Sequence, residues 1–187
     1  MDTISAIESR RSVREFSKKK PDWRNIIEAI NSTQYAPMAG GIFSLKFLII
    51  DKKDTIQKIS KWSEQEFIQD VQYIVAFITD PKKTEISFNE RSKKYLPQQA
   101  GSAIQNFMLH LTEIGLSTCW IGHFNDEKIK ALLKIPKEME IEAMFPIGFA
   151  KKKPKQTKKE ALYEKLYFNI WGNKYMKKYS KIDGRIY

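Results

Sequence analysis

The chain has 187 residues, 42% hydrophobic and 12% aromatic, which suits one globular domain with a sizeable core and excludes a disordered chain. Its net charge of +11 raises nucleic acid as a partner. Twelve of the 33 Lys and Arg residues and three of the 22 acids fall in residues 150–187, so residues 1–149 hold a near-balanced 21 cations and 19 anions. The basicity therefore belongs to the C-terminal segment, and neither nucleic acid nor a membrane is the expected partner.

Cys119 is the one cysteine, so no intrachain disulfide can form. It sits in the apolar run Thr118-Cys119-Trp120-Ile121, which suggests a buried, inert thiol and fits a reducing cytoplasm. Two histidines and one cysteine, far apart in sequence, are too few for a structural zinc site, and no metal site is expected. The N-terminus lacks a charged start followed by an apolar core, so no signal peptide is expected, and no apolar run has the length of a membrane span.

In chain order, residues 3–10 read as a short helix capped by Asp2 or Thr3, with Ile4 and Ile7 on one face. A second helix opens at Pro21-Asp22-Trp23, with Trp23, Ile26, Ile27 and Ile30 at helical spacing. The loop Tyr35-Ala36-Pro37-Met38-Ala39-Gly40-Gly41 follows. A strand is expected over 45–50, a helix over 54–62, a short helical piece over 64–69 and a buried strand over 73–78. Residues 82–94 are polar and read as an irregular loop, a candidate lid.

Residues 95–114 form the longest periodic element and read as the central core helix. Ala100, Gly101, Ser102 and Ala103 would let another helix approach closely, and Gly115 stands where a helix C-terminus ends. A third strand is expected over 116–121, a helix capped by Asn125 through 133, a fourth strand over 140–149, and a last helical piece over 160–167. Trp120 reads as core. The C-terminal segment carries Leu162, Tyr163, Leu166, Tyr167, Phe168, Ile170, Trp171, Tyr175 and Tyr179, so part of it is expected to pack on something. Four strands interspersed with helices indicate an α+β layer architecture. G-x-G-x-x-G and G-x-x-x-x-G-K-[ST] are both absent, so neither a Rossmann nor a P-loop nucleotide site is indicated.

Against this background Arg10-Arg11-Ser12-Val13-Arg14 stands out. Three guanidiniums within five residues repel one another unless an anion lies among them, and arginine's bidentate fork suits a phosphate or a planar carbonyl edge. The plain alternative is a charged first helix facing solvent.

The order of pieces resembles the nitroreductase family of flavin mononucleotide (FMN) enzymes. Arg10-Arg11-Ser12-Val13-Arg14-Glu15-Phe16 is similar to the family's R-R-S-x-R-x-F, and Ala36-Pro37-Met38-Ala39-Gly40-Gly41 to its A-P-S-A-G-N. Gln105-Asn106 on the long helix, then Gly115-Leu116-Ser117-Thr118-Cys119-Trp120-Ile121-Gly122, resemble its Q-N pair and G-L-G-T-x-W-I-G. Ile135-Pro136, Pro146-Ile147-Gly148-Phe149 and Asn169-Ile170-Trp171-Gly172 complete five pieces in the family's order.

The resemblance implies a mostly antiparallel sheet flanked by helices, in an interlocked homodimer with two FMN sites. It implies one nitroreductase-like domain over 1–187, with a basic and aromatic extension from about 151. The phosphate would meet Arg10, Arg11 and Ser12, and Arg14 would lie by the pyrimidine edge. Pro37, Met38, Ala39 and Gly41 would come from the other subunit. Ile121, Gly122 and His123 would line the face near N5, with His123 the one catalytic candidate, and Lys159 or Lys158 would return to the phosphate. The implied activity is electron transfer from NADH or NADPH through FMN to a nitroaromatic, quinone or related acceptor, with ping-pong kinetics. Gly41 replaces an asparagine, His123 a glycine, Phe43-Ser44-Leu45 the usual Q-P-W, and Gln99 a frequent aspartate. A flavin protein of this fold with another reaction, such as reductive dehalogenation, and a basic nucleic-acid-binding module are the alternatives.

Overall fold

The computed structural model describes residues 1–175. Lys177, Lys178 and Tyr179 lie outside the described residues. Contacts divide the chain into two units, Met1–Pro154 and Lys155–Tyr187.

The first unit is built on one antiparallel sheet, with strands β1 (Leu45–Ile50), β2 (Tyr73–Thr79), β3 (Ser117–Thr118) and β4 (Glu140–Gly148) in the order β1-β2-β4-β3. β2 lies between β1 and β4 and is buried along its whole length, which explains its unbroken apolar run. One face packs Ile56, Ile59 and Ile129 against Ile74, Ala76 and Met144; the side chains come from α3 (Lys53–Trp62) and α6 (Asp126–Leu133). The other packs Ile26, Ala29, Ile104, Phe107 and Leu111 against Val75, Phe77 and Phe145, from α2 (Trp23–Asn31) and α5 (Ser92–Glu113).

The helix ends follow their chemistry. Asp2 caps α1 (Thr3–Ser9) by accepting from the Ser5 N–H at 3.0 Å, and Asp22 and Asn125 cap α2 and α6 in the same way. After α5, Gly115 takes φ +78°, and the Leu116 N–H donates to the Leu111 carbonyl at 2.8 Å. That closure turns the chain sharply into β3.

Several expectations need correction. Residues 82–94 are not an irregular loop: Lys82–Phe88 is a helix, α4, followed by a 3-10 turn at Asn89–Arg91, and Ser92 already begins α5. Thr84 is the one buried side chain of α4, so that helix shows no apolar period. The strand expected over 116–121 is only Ser117–Thr118, with Ile121 bridging Met144 beyond a break. Pro146 sits opposite the break and has no N–H to donate. Residues 160–167 hold a single 3-10 turn, Leu162–Lys165. On α2 the buried residues are Ile26 and Ala29, while Trp23 and Ile27 are half-exposed. Of the small residues of α5, Ala100 and Ala103 pack on Ala36 and on Leu45 at the start of β1. In the second unit the Tyr167 and Trp171 rings meet with centres 4.4 Å apart and planes tilted by 37°, while Leu162, Tyr163, Ile170, Trp171 and Tyr175 are exposed.

Candidate functional site

After α1 the chain runs extended along the sheet. The Val13 N–H donates to the Thr118 carbonyl at 2.9 Å, the Ser17 N–H to the Phe149 carbonyl at 2.8 Å, and the Lys151 N–H to the Glu15 carbonyl at 2.8 Å. Val13 and Phe16 are buried, each contributing about 1.5–3 kcal/mol, and Ser12, Arg14 and Glu15 are exposed. The fixed backbone gives the arginines a defined place.

Arg10 and Arg11 are half-buried, and Arg11 Nη1 donates to the carbonyls of Glu8 at 2.5 Å and Arg10 at 2.8 Å. They line a cavity of about 190 Å³ together with Thr112, Ser117, Thr118 and Lys153, and among the described residues no acid lines it. None of Arg10, Arg11 and Arg14 is in an ion pair among the described residues. Thr118 is 5% exposed and its Oγ1 has no hydrogen-bond partner. A buried hydroxyl left unpaired costs stability, and the three cations lining the cavity repel one another. An anion carrying several acceptor oxygens would relieve that repulsion.

Arg14 extends toward Cys119. Burial pushes the Cys119 thiol up, and the neighbouring Arg14 and Arg10 guanidiniums oppose this only in part, so the thiol stays protonated near neutrality. Beyond it, Ile121 pairs with Met144 through two backbone bonds of 3.0 Å and is buried, while Gly122 and His123 are exposed. Trp120, expected in the core, is 42% exposed, with its ring 5.6 Å from Phe145.

The loop bearing Pro37, Met38, Ala39 and Gly41 is elsewhere. It forms the 3-10 turn Ala39–Gly41 and is held by Gln99, whose Oε1 accepts from the Ala39 N–H at 3.1 Å. Thr112, at the arginine cavity, is thirteen residues further along α5, roughly 20 Å at helical rise. One chain therefore brings Arg10, Arg11 and Thr118 together but not this loop. Lys158 and Lys159 belong to the second unit and are exposed; the lysine lining the cavity is Lys153 of the first unit. Sequence reasoning missed Lys153 because nothing separates it from Lys151 and Lys152 in the lysine run, and missed Thr118 because its burial and its lack of a partner become visible only in three dimensions.

Among the described residues no three His, Cys, Asp or Glu side chains group as metal ligands, and no helix is long and apolar enough to cross a membrane.

A model of the Nitroreductase family matches residues 7–72 and 57–149. The iodotyrosine deiodinase of Thermotoga neapolitana is 24% identical over 170 residues, covering 82% of this chain and 91% of that protein. Among solved structures, an FMN-dependent nitroreductase from Clostridium difficile R20291 is 21% identical and aligns with a TM-score of 0.75, over 90% of this chain and 99% of that one. The NADPH:FMN oxidoreductase of Vibrio harveyi, solved with NAD+, is 15% identical with a TM-score of 0.82, over 90% of this chain and 77% of that one. The structural likenesses show the fold.

Proposed function

The chain belongs to the nitroreductase family, and on that premise we propose that it is an FMN-dependent oxidoreductase taking electrons from NADH or NADPH. The observation that carries the proposal is the acid-free cavity of Arg10, Arg11 and Lys153 beside the unpartnered Thr118 hydroxyl. Those groups fit a phosphate monoester, the part of FMN that most needs cations and hydrogen-bond donors. The names of the C. difficile and V. harveyi neighbours support FMN and a nicotinamide donor.

FMN held there would supply electron transfer from NAD(P)H to a nitroaromatic, quinone or related small acceptor, the donor leaving before the acceptor binds. The chain's own residues do the rest. Arg10, Arg11 and Ser12 hold the phosphate, Lys153 adds a cation, and Thr118 Oγ1 donates to it. Arg14 keeps a fixed positive charge by the pyrimidine edge, where negative charge grows on reduction. Ile121, Gly122 and His123 offer backbone groups along the ring face. His123, exposed beside Gly122, is the side chain proposed to hold a proton near N5.

Because the 37–41 loop stands some way along α5 from the cavity, we propose that it completes the site of a second subunit in a homodimer. Exposed Ile4, Ile7, Trp23, Ile27 and Tyr35 supply apolar surface for such contact. The free Cys119 thiol supports a reducing compartment, and the cytoplasm is the proposed location.

The test is anaerobic. NADH or NADPH should bleach the bound flavin, and a nitroaromatic or quinone should restore its colour. The deiodinase relative favours one second reading, reductive dehalogenation at the same site. Reoxidation by an iodinated tyrosine but not by nitro compounds or quinones would select it.

A further inference from the structure

Gln99, in the first half of α5, is 3% exposed. Both ends of its amide are used. Oε1 accepts from the Ala39 N–H at 3.1 Å, and Nε2 donates to the Ser44 hydroxyl. Ser44 is itself buried at 4%, and its carbonyl accepts from the Asp80 N–H at 2.8 Å. One buried side chain thus ties the middle of the 37–41 loop, and its exit into β1, to the central helix.

The loop's other polar contacts among the described residues are its own turn bonds, from the Gly41 N–H to the Met38 carbonyl and from the Ile42 N–H to the Ala39 carbonyl, each 3.0 Å. Pro37, Gly40 and Gly41 are exposed, and Gly40 and Gly41 take φ values of +57° and +69°. Packing from α4 adds an apolar limit: a β-carbon on Gly40 would stand 2.9 Å from the Phe88 ring. A buried primary amide is costly unless satisfied, and an apolar residue would fill the same space without that cost. The placement is informative because one bond goes to the loop and the other to the residue that leads from it into β1.

We propose that Gln99 is a positioning residue, whose amide pre-sets the 37–41 loop in the shape that meets the flavin of the partner subunit. The inference rests on the FMN reading above. A loop ordered in advance does not spend binding free energy on being ordered when the flavin arrives. Gln99 touches neither flavin nor acceptor in this account; it acts through Ala39 and Ser44.

The experiment is FMN titration of flavin-free, full-length protein, followed by quenching of flavin fluorescence, with the urea midpoint of the flavin-free protein measured alongside. Gln99→Met keeps the volume and removes both bonds. It should raise the FMN dissociation constant by about tenfold, the worth of one or two hydrogen bonds. Gln99→Glu should return to within about threefold of wild type, because a carboxyl group can accept from the Ala39 N–H and also pair with the Ser44 hydroxyl. Gln98→Met, an exposed neighbour, should bind as wild type does. Equal FMN affinity in Gln99→Met and wild type overturns the proposal while leaving the FMN reading intact. So does failure of Gln99→Glu to recover affinity when its urea midpoint is normal. A wild-type protein that binds no FMN overturns the functional reading, and this inference with it. If Gln99→Met does not fold, Ser44→Ala, which removes one bond, carries the test: weaker FMN binding supports the role and unchanged affinity refutes it.

Discussion

The backbone N–H of Val13 donates to the carbonyl of Thr118 at 2.9 Å, which fastens the arginine-bearing segment to β3 beside a buried hydroxyl with no partner of its own. That one bond aligns two stretches more than a hundred residues apart in sequence. It helps explain why Arg10, Arg11 and Thr118 line one cavity.

Arg10→Ala with Arg11→Ala should abolish FMN retention while leaving the fold intact. Each charge-assisted hydrogen bond to a phosphate is worth about 1.5–3 kcal/mol, so the pair should weaken FMN binding by roughly a hundredfold or more. Lys153→Ala should weaken it less. Equilibrium dialysis against FMN checks this, with circular dichroism as the control for folding. A double variant that retains wild-type affinity would show that the phosphate lies elsewhere.

Thr118→Val separates stability from binding. Valine matches threonine in shape and removes the unpartnered Oγ1, so the flavin-free protein should be as stable as wild type or up to about 1–2 kcal/mol more stable. FMN affinity should nevertheless fall several-fold, because a donor to the phosphate is gone. Urea denaturation of the flavin-free protein and FMN titration give the two numbers. A loss of stability without a loss of affinity would contradict the assignment.

Gly148→Ala should destabilise the N-terminal strap. A β-carbon there would lie 2.8 Å from Cδ1 of Phe16, the side chain that pins the segment behind the arginines. Overpacking of this kind costs about 1–3 kcal/mol. The expected readout is a lower melting temperature, and Phe16→Leu in the same chain should recover part of it.

Glu142 gives a pH signature. Burial raises its carboxyl above the usual range; repulsion from Glu140 adds to this, and the hydrogen bond donated by Thr79 Oγ1 at 2.7 Å opposes it. An acid whose pKa is raised on folding favours the folded state most when protonated. That contribution is complete below the ordinary glutamate range and is lost as pH rises through the folded value. Glu142→Gln should therefore match wild type at acid pH and become the more stable of the two as pH rises to neutrality. Denaturation curves across that range check it, and a gap that narrows with rising pH would refute the sign.

Much of the architecture was legible in the sequence because its signals are local. Asp22 and Asn125 sit where caps belong, Gly115 stands one residue beyond the helix's C-cap, Ile114, and residues 73–78 are apolar without interruption. The misses are non-local. The break after Thr118 depends on Pro146 across the ladder, and α4 hides in a polar stretch because a helix that buries one threonine leaves no period. At the site the arginines announced themselves by charge density. Lys153 could not be chosen among its neighbours, and Gln99, which reads as a mere departure from a family pattern, gains a role only once its amide is seen between Ala39 and Ser44.

The most direct measurement is the identity and amount of pigment released when the purified, full-length protein is denatured. The account predicts a yellow protein releasing FMN at about one molecule per subunit, from a particle that light scattering sizes as a dimer. A colourless, monomeric protein that cannot be reconstituted with FMN would contradict it.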